Sequence, residues 1–208
     1  MASDRRKDIK RAEKQGILVK TVEFNDELVK GIVEINNDIP LRQGKRFKHY
    51  GKDFDTVKRE YATFPDKSEF IAAYFNDELV AILKMVYVGE LACFLEILSK
   101  TKYNDKRPVN ALISKAVEVA VENQKSYLTY GRFYYGNKKQ SLFTDFKHRN
   151  GFERIIFPRY YVPLTPKGRV AIQFKLQLGL LGILPGFLIS GFLNLRSYLY
   201  NNKLNKSQ

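Results

Sequence analysis

Two apolar runs, 70–75 and 79–88, flank Asn76-Asp77-Glu78, and a third, 91–98, follows directly after Gly89-Glu90. Short runs of this kind bounded by turn residues read as β-strands, the first two joined as a hairpin. The next periodic stretch differs in kind. Leu112, Ile113, Ala116, Val117, Ala120 and Val121 recur at helical spacing behind Pro108, which suits a first helical turn, and predict a helix over 108–123. A strand over 127–133, a helix over 138–149 ended by Gly151, and a last strand over 152–164 complete the pattern. Hairpin, strand, helix, strand, helix, strand predicts a mixed α/β sheet with helices packed on it.

Upstream, residues 5–15 are charged on nearly every side and predict a solvated helix or arm closed by Gly16. Residues 17–22 alternate as a short strand. Asn25 is placed to cap a helix whose apolar positions are Leu28, Val29, Ile32, Val33 and Ile35, and Pro40 stops it. Residues 41–59 interleave glycines, aromatics and cations with little period, which predicts a long functional loop leading into a helix near 55–61. The hexapeptide Phe-Asn-Asp-Glu-Leu-Val occurs at 24–29 and again at 75–80. Helical spacing follows the first copy and strand-like runs bracket the second, so the repeat reflects capping and turn chemistry, not duplicated domains.

With 44% hydrophobic and 13% aromatic residues, the chain can bury a core, which excludes general disorder. A single cysteine, Cys93, excludes a disulfide framework, and it reads as a small core residue on an apolar strand face. Two histidines and no HExxH spacing argue against an ordinary catalytic zinc site, so no metal is expected. Residues 1–20 lack the apolar region of a secretory signal. The expected location is the cytoplasm, with peripheral contact to the inner membrane face.

The net charge of +14 is unevenly placed. No acidic residue follows Glu153, whereas Arg154, Arg159, Lys167, Arg169, Lys175, Arg196, Lys203 and Lys206 do. Such a field attracts phosphate, carried by nucleic acid, an anionic membrane or a cofactor. Residues 176–195 carry no charge, but Pro185-Gly186 divides them into arms of about nine residues, each roughly 14 Å if helical and too short to cross a bilayer. Three readings of this tail stay open. It lies at a membrane interface with Tyr198 and Tyr200 at the boundary, it packs on the sheet or on a second subunit, or it spans the bilayer.

The order of elements, Arg42-Gln43-Gly44 with His49-Tyr50-Gly51, the stretch Lys106-Arg107-Pro108-Val109-Asn110-Ala111-Leu112, and Phe146-Lys147-His148-Arg149-Asn150-Gly151-Phe152-Glu153 together resemble the GNAT-like acyltransferase superfamily and, within it, the FemAB-like branch. The likeness runs over residues 5–200. It implies an α/β fold with a GNAT-like mixed central sheet flanked by helices and an apolar C-terminal helical tail. The chain then divides into a basic helical arm over 1–20, a GNAT-like domain over 21–165 and a basic, apolar tail over 166–208. FemAB-like members commonly hold two such domains, and the helix at 5–15 resembles the segment joining them, which implies a single-domain or shortened version.

The resemblance also implies an N-acyltransferase whose donor lies between 93–98 and 128–133, against the helix start at Pro108, where unpaired N–H groups favour phosphate. Lys100, Lys102 and Arg107 would add charge there, and Asn110 and Ala111 would line the turn. Asn110 stands where the family's Q/R-x-x-G-x-G/A pattern has a glycine, so the donor stays open between acyl-CoA and an aminoacyl-tRNA.

Acyl transfer to an amine needs a base, donors for the oxyanion and an acid for the leaving group. Glu96 is the first candidate base: strand alternation puts it on a face with Ala92, Phe94 and Leu98, where burial would raise its pKa. The competing reading pairs it with Lys84 or Lys100. His49 is a second candidate, as base or acceptor-binding group. Tyr130 and Tyr134 are candidate acids, and Arg42, Arg46 and Tyr50 candidate binders of the acceptor, a small-molecule or glycan-linked amine. The expected partners further include an anionic membrane surface through 166–208 and tRNA. The competing function class is a non-catalytic RNA-binding or membrane-peripheral module on the same fold.

Overall fold

A computed structural model describes residues 3–42, 45–134 and 142–179, together with isolated positions between 188 and 198. Its elements run α1 (Ser3–Lys14), β1 (Leu18–Val22), α2 (Asp26–Asn36), β2 (Leu41–Arg42), β3 (Lys45–Arg46), α3 (Phe54–Tyr61), β4 (Ser68–Phe75), β5 (Glu78–Val88), β6 (Leu91–Ser99), α4 (Pro108–Glu122), β7 (Tyr127–Thr129), α5 (Leu142–Arg149) and α6 (Pro166–Gln173). Five strands form one sheet in the order β1-β4-β5-β6-β7, antiparallel except for the parallel pair β6 and β7. A small ribbon of β2 and β3 stands apart within the 41–59 segment.

Helices cover both faces of the sheet, which is why its central strands read as nearly unbroken apolar runs. Ala81, Leu83 and Met85 of β5 pack with Leu112, Ile113 and Ala116 of α4 on one face. On the other, Ile82 joins Leu28, Val29 and Ile32 of α2 and Val57 and Tyr61 of α3. The α2 helix starts where Asn25 accepts a hydrogen bond from the Leu28 amide at 2.9 Å. Mid-helix Gly31 has a packing reason: a Cβ there would meet Leu79 Cδ2 at 2.6 Å. Between β4 and β5, Asn76 (φ 49°) and Asp77 (φ 62°) both take the left-handed conformation that a two-residue hairpin turn requires. The arm at 5–15 is helical, and its Ala12 is buried in the same cluster as α4.

Three expectations need correction. Val117 and Val121 lie outside the buried face of α4 and are exposed. The strand foreseen over 127–133 ends at Thr129, because β7 pairs with β6 at only three positions. The last strand over 152–164 does not form: those residues are neither helix nor strand. Pro158 and Pro163 lack the N–H groups a ladder needs. Lys147 meanwhile donates to the Tyr130 and Arg132 carbonyls, at 2.7 Å each, where β7 gives out. Of the helix foreseen at 138–149, residues 142–149 are helical and the rest lie outside the described residues, as does the tail beyond 179 apart from isolated positions.

Candidate active site

One extra residue in β6 decides where its carboxylate goes. Met85 pairs with Phe94 and Lys84 with Glu96, so Leu95 is bulged out of the ladder. A bulge reverses the alternation beyond it. Ala92 and Phe94 therefore pack on the α4 side, while Glu96 faces the α2 and α3 side with Leu98. The expected common face survives only for Leu98.

On that face Glu96 meets the loop after β3. The buried His49, 4% exposed, points Nε2 at Glu96 Oε1 from 3.5 Å, and Lys48 Nζ lies 3.7 Å from Oε2. Lys52 Nζ sits 3.3 Å from His49 Nδ1 and donates to both oxygens of Glu60 at 2.6 Å. An ammonium donating to Nδ1 leaves the imidazole proton on Nε2, directed at Glu96. The series Glu60, Lys52, His49, Glu96 thus alternates donor and acceptor. Neither Lys84 nor Lys100 pairs with Glu96: Lys84 donates to the Tyr61 and Thr63 carbonyls behind α3, and Lys100 to Glu34 and Glu78.

Burial pushes the Glu96 carboxyl up, but His49, Lys48 and Lys52 outweigh it and hold the group below its usual range. This reverses the expectation of a raised pKa: burial is the largest single influence, but His49 and the two lysines together exceed it. Tyr61, buried at the end of α3, feels the charge of Glu96. Burial raises its pKa, and the charges of Glu96 and Glu60 raise it further. Neither the Tyr61 hydroxyl nor His49 Nε2 has a hydrogen-bond partner among the described residues, since 3.5 Å is long for a formed bond. Two orphaned polar atoms, one of them 3.5 Å from Glu96 Oε1, mark a place made for a further polar group.

The loop is held rigidly enough to present this set. Gly51 N donates to Asn37 Oδ1 at 3.0 Å, and Phe47 N to the Pro40 carbonyl at 2.8 Å. The Arg42 guanidinium lies 3.8 Å from the centre of the Phe47 ring and donates to the Ile35 carbonyl. Arg42, expected to grip an acceptor, is thereby committed inside the loop, and burial lowers its pKa against the opposing charge of Asp38. Arg46 and Tyr50 stay exposed on the same segment.

Beyond Cys93 and Thr129 the two parallel strands part, and among the described residues β6 has no strand partner on that side from Phe94 to Ser99. The opening lies next to Glu96 in the chain, and α4 begins beyond it.

No protein-family model and no curated protein matches the sequence. Solved structures do match the fold. An aminoglycoside acetyltransferase from an uncultured soil metagenomic sample, solved with sisomicin, aligns with TM-score 0.52 and 10% identity over 72% of this chain and 97% of its own. The ribosomal-protein-S18-alanine N-acetyltransferase of Escherichia coli aligns with TM-score 0.50 and 11% identity over 71% and 86%. An aminoglycoside 6'-N-acetyltransferase of Acinetobacter haemolyticus gives TM-score 0.50 and 12% identity over 70% and 97%. The chain has the GNAT fold.

Within this GNAT fold, the expected donor residues are occupied by the protein itself. Asn110 is buried and bonds Asn150 through its side chain, while Ala111 is buried in the core. Pro108 has no N–H, and the amides of Asn110 and Ala111 both return to the Arg107 carbonyl. Lys100 and Lys102 pair with Glu78, and Arg107 Nε lies 3.5 Å from Asp8. The two amides and the three cations expected at the head of α4 thus already have partners within the protein. Tyr130 packs between Phe94 and Phe152 on the α4 side of the sheet, away from the face that carries Glu96. Tyr134 accepts a hydrogen bond from Arg154 at 3.2 Å. Among the described residues no three His, Cys, Asp or Glu side chains stand together as a metal site, and no helix is long and apolar enough to cross a membrane.

The site thus brings together Glu96 and His49, which lie far apart in sequence, and leaves Tyr130 on the other face. Sequence reasoning missed Lys52, Glu60 and Tyr61. The spacing His49-x-x-Lys52 was a usable signal, but Tyr61 read only as the end of a helix.

Proposed function

We propose that the protein is an N-acyltransferase, moving an activated acyl or aminoacyl group to a primary amine at Glu96. What supports this most is the convergence of a carboxylate, a buried imidazole and an orphaned phenol at the parting of two parallel strands.

Glu96 is ionised at neutral pH, so it binds the cationic acceptor where Lys48 now approaches it and takes the first ammonium proton, which frees the nitrogen lone pair to attack. The N–C bond forms, the bond from the acyl carbon to its carrier breaks, and the second nitrogen proton leaves with the carrier, relayed through the Tyr61 hydroxyl or water. His49 is a positioning residue: almost wholly buried, it turns Nε2 toward one oxygen of Glu96 across 3.5 Å while Lys52 fixes its tautomer. The acyl group enters through the opening beside β6. Acetyl-CoA or an aminoacyl-tRNA would supply that group.

Purified protein is assayed with acetyl-CoA and with an aminoacyl-tRNA against a panel of primary amines. Glu96→Gln is expected to lower turnover by about 10²–10⁴-fold. His49→Ala is expected to lower it and also to shift the pH profile, because the Glu96 pKa rises when its donor is lost. Full activity in Glu96→Gln, or no turnover with either donor class, overturns the reading.

A further inference from the structure

The segment foreseen as the last strand is the least expected surface of the molecule. Ile155, Ile156, Phe157, Tyr160, Val162 and Leu164 are between 67% and 91% exposed, all within ten consecutive residues. A soluble surface rarely leaves so many large apolar groups side by side. Beyond it, Val170 and Phe174 of the α6 region and Leu176 are exposed as well. Interspersed among them are Arg154, Arg159, Lys167, Arg169 and Lys175, with no acidic residue anywhere after Glu153. Arg154 rests on the Tyr134 ring and Arg159 on the Tyr161 hydroxyl.

We infer that residues 154–178 form a membrane-docking strap that seats its apolar side chains among the headgroups of an anionic bilayer while its cations contact lipid phosphate. Charge chooses this occupant. A second copy meeting the same patch across a two-fold axis would set two acid-free basic segments against each other. RNA would satisfy the cations and stack on the tyrosines, but Ile155, Ile156, Val162 and Leu164 have no π-face to offer a base. An anionic lipid surface meets both demands at once. The strap lies at headgroup level and not in the hydrocarbon, because its unpaired backbone groups need water or phosphate as partners. Tyrosine and arginine beside the aliphatic residues suit that depth. This contact is independent of the proposed transfer reaction.

Full-length protein is sedimented with phosphatidylcholine vesicles and with vesicles in which about a third of the lipid is phosphatidylglycerol. Binding is expected to the anionic vesicles, weakening as salt is raised. Ile156→Ser combined with Phe157→Ser is expected to weaken binding by at least about tenfold. Arg154→Gln and Arg159→Gln should each weaken it by about fivefold. All four side chains are exposed, so melting temperatures should stay close to that of the parent. The inference is overturned if the parent protein stays in the supernatant, or if these substitutions leave partitioning unchanged. It is equally overturned if the parent is a dimer that Phe157→Ser dissociates, or if it binds RNA and the strap variants lose RNA instead of lipid.

Discussion

Glu78 gathers three compensating groups: Lys100 at 2.7 Å, Lys102 at 2.9 Å and the Tyr103 hydroxyl. Hydrogen bonds from Lys100 and Tyr103 hold its pKa down at about 2, against an ordinary 4.5. A carboxylate shifted this way contributes stability above the unfolded value and loses it as pH falls through the folded one. Stability should therefore decline between about pH 4.5 and 2 by on the order of 1–2 kcal/mol from this group, after screening by solvent. In Glu78→Gln that part of the acid dependence should vanish from urea titrations run across the window. The same residue explains why Lys100 and Lys102, nominated for a phosphate, are not free to meet one. A lysine's charge is legible in sequence, but its counter-charge 22 residues away is not. Glu96 and His49 were legible as chemistry for other reasons: Glu96 stands alone in an apolar strand, and His49 is one of only two histidines, set in an aromatic and basic loop. What sequence could not give was their contact, or the sign of the Glu96 shift.

The hexapeptide at 24–29 and 75–80 isolates what an element contributes. In the first copy Asn25 caps α2 through its side chain. In the second, Asn76 supplies a left-handed turn between β4 and β5. Asn25→Ala should then destabilise by about 1 kcal/mol, with Asn25→Gly costing only a few tenths. Asn76→Ala should cost a similar ~1 kcal/mol through backbone strain, while Asn76→Gly should be nearly neutral. Thermal unfolding of the four variants checks the pattern, and equal costs for Ala and Gly at either position would contradict it. The two sites were distinguishable beforehand because their flanks differ in period. The bulge at Leu95 was not, since no glycine or proline marks it, and the missing last strand misled for a related reason. Residues 152–164 have the composition of a strand, but strand formation depends on an available edge, and β7 offers only three residues of it.

Across the whole molecule the net charge of +14 is a standing repulsion. Raising salt from about 10 mM to about 200 mM shortens the Debye length several-fold and should raise Tm by a few degrees, read by calorimetry. A fall in Tm would mean that ion pairs such as Lys100 with Glu34 and Glu78 outweigh the repulsion. At this scale the sequence alone determined the fold class, the order of most elements, the caps and turns, and the acid-free basic stretch after Glu153. These follow from periodicity and local hydrogen bonding, which neighbouring residues settle among themselves. The tertiary structure alone decided which face Glu96 looks toward, that His49, Lys52, Glu60 and Tyr61 surround it, that the head of α4 is already satisfied, and that residues 152–164 stay outside the sheet. Each of these depends on a partner distant in sequence, on strand register or on an edge left unpaired, and no local pattern encodes where such a partner will be.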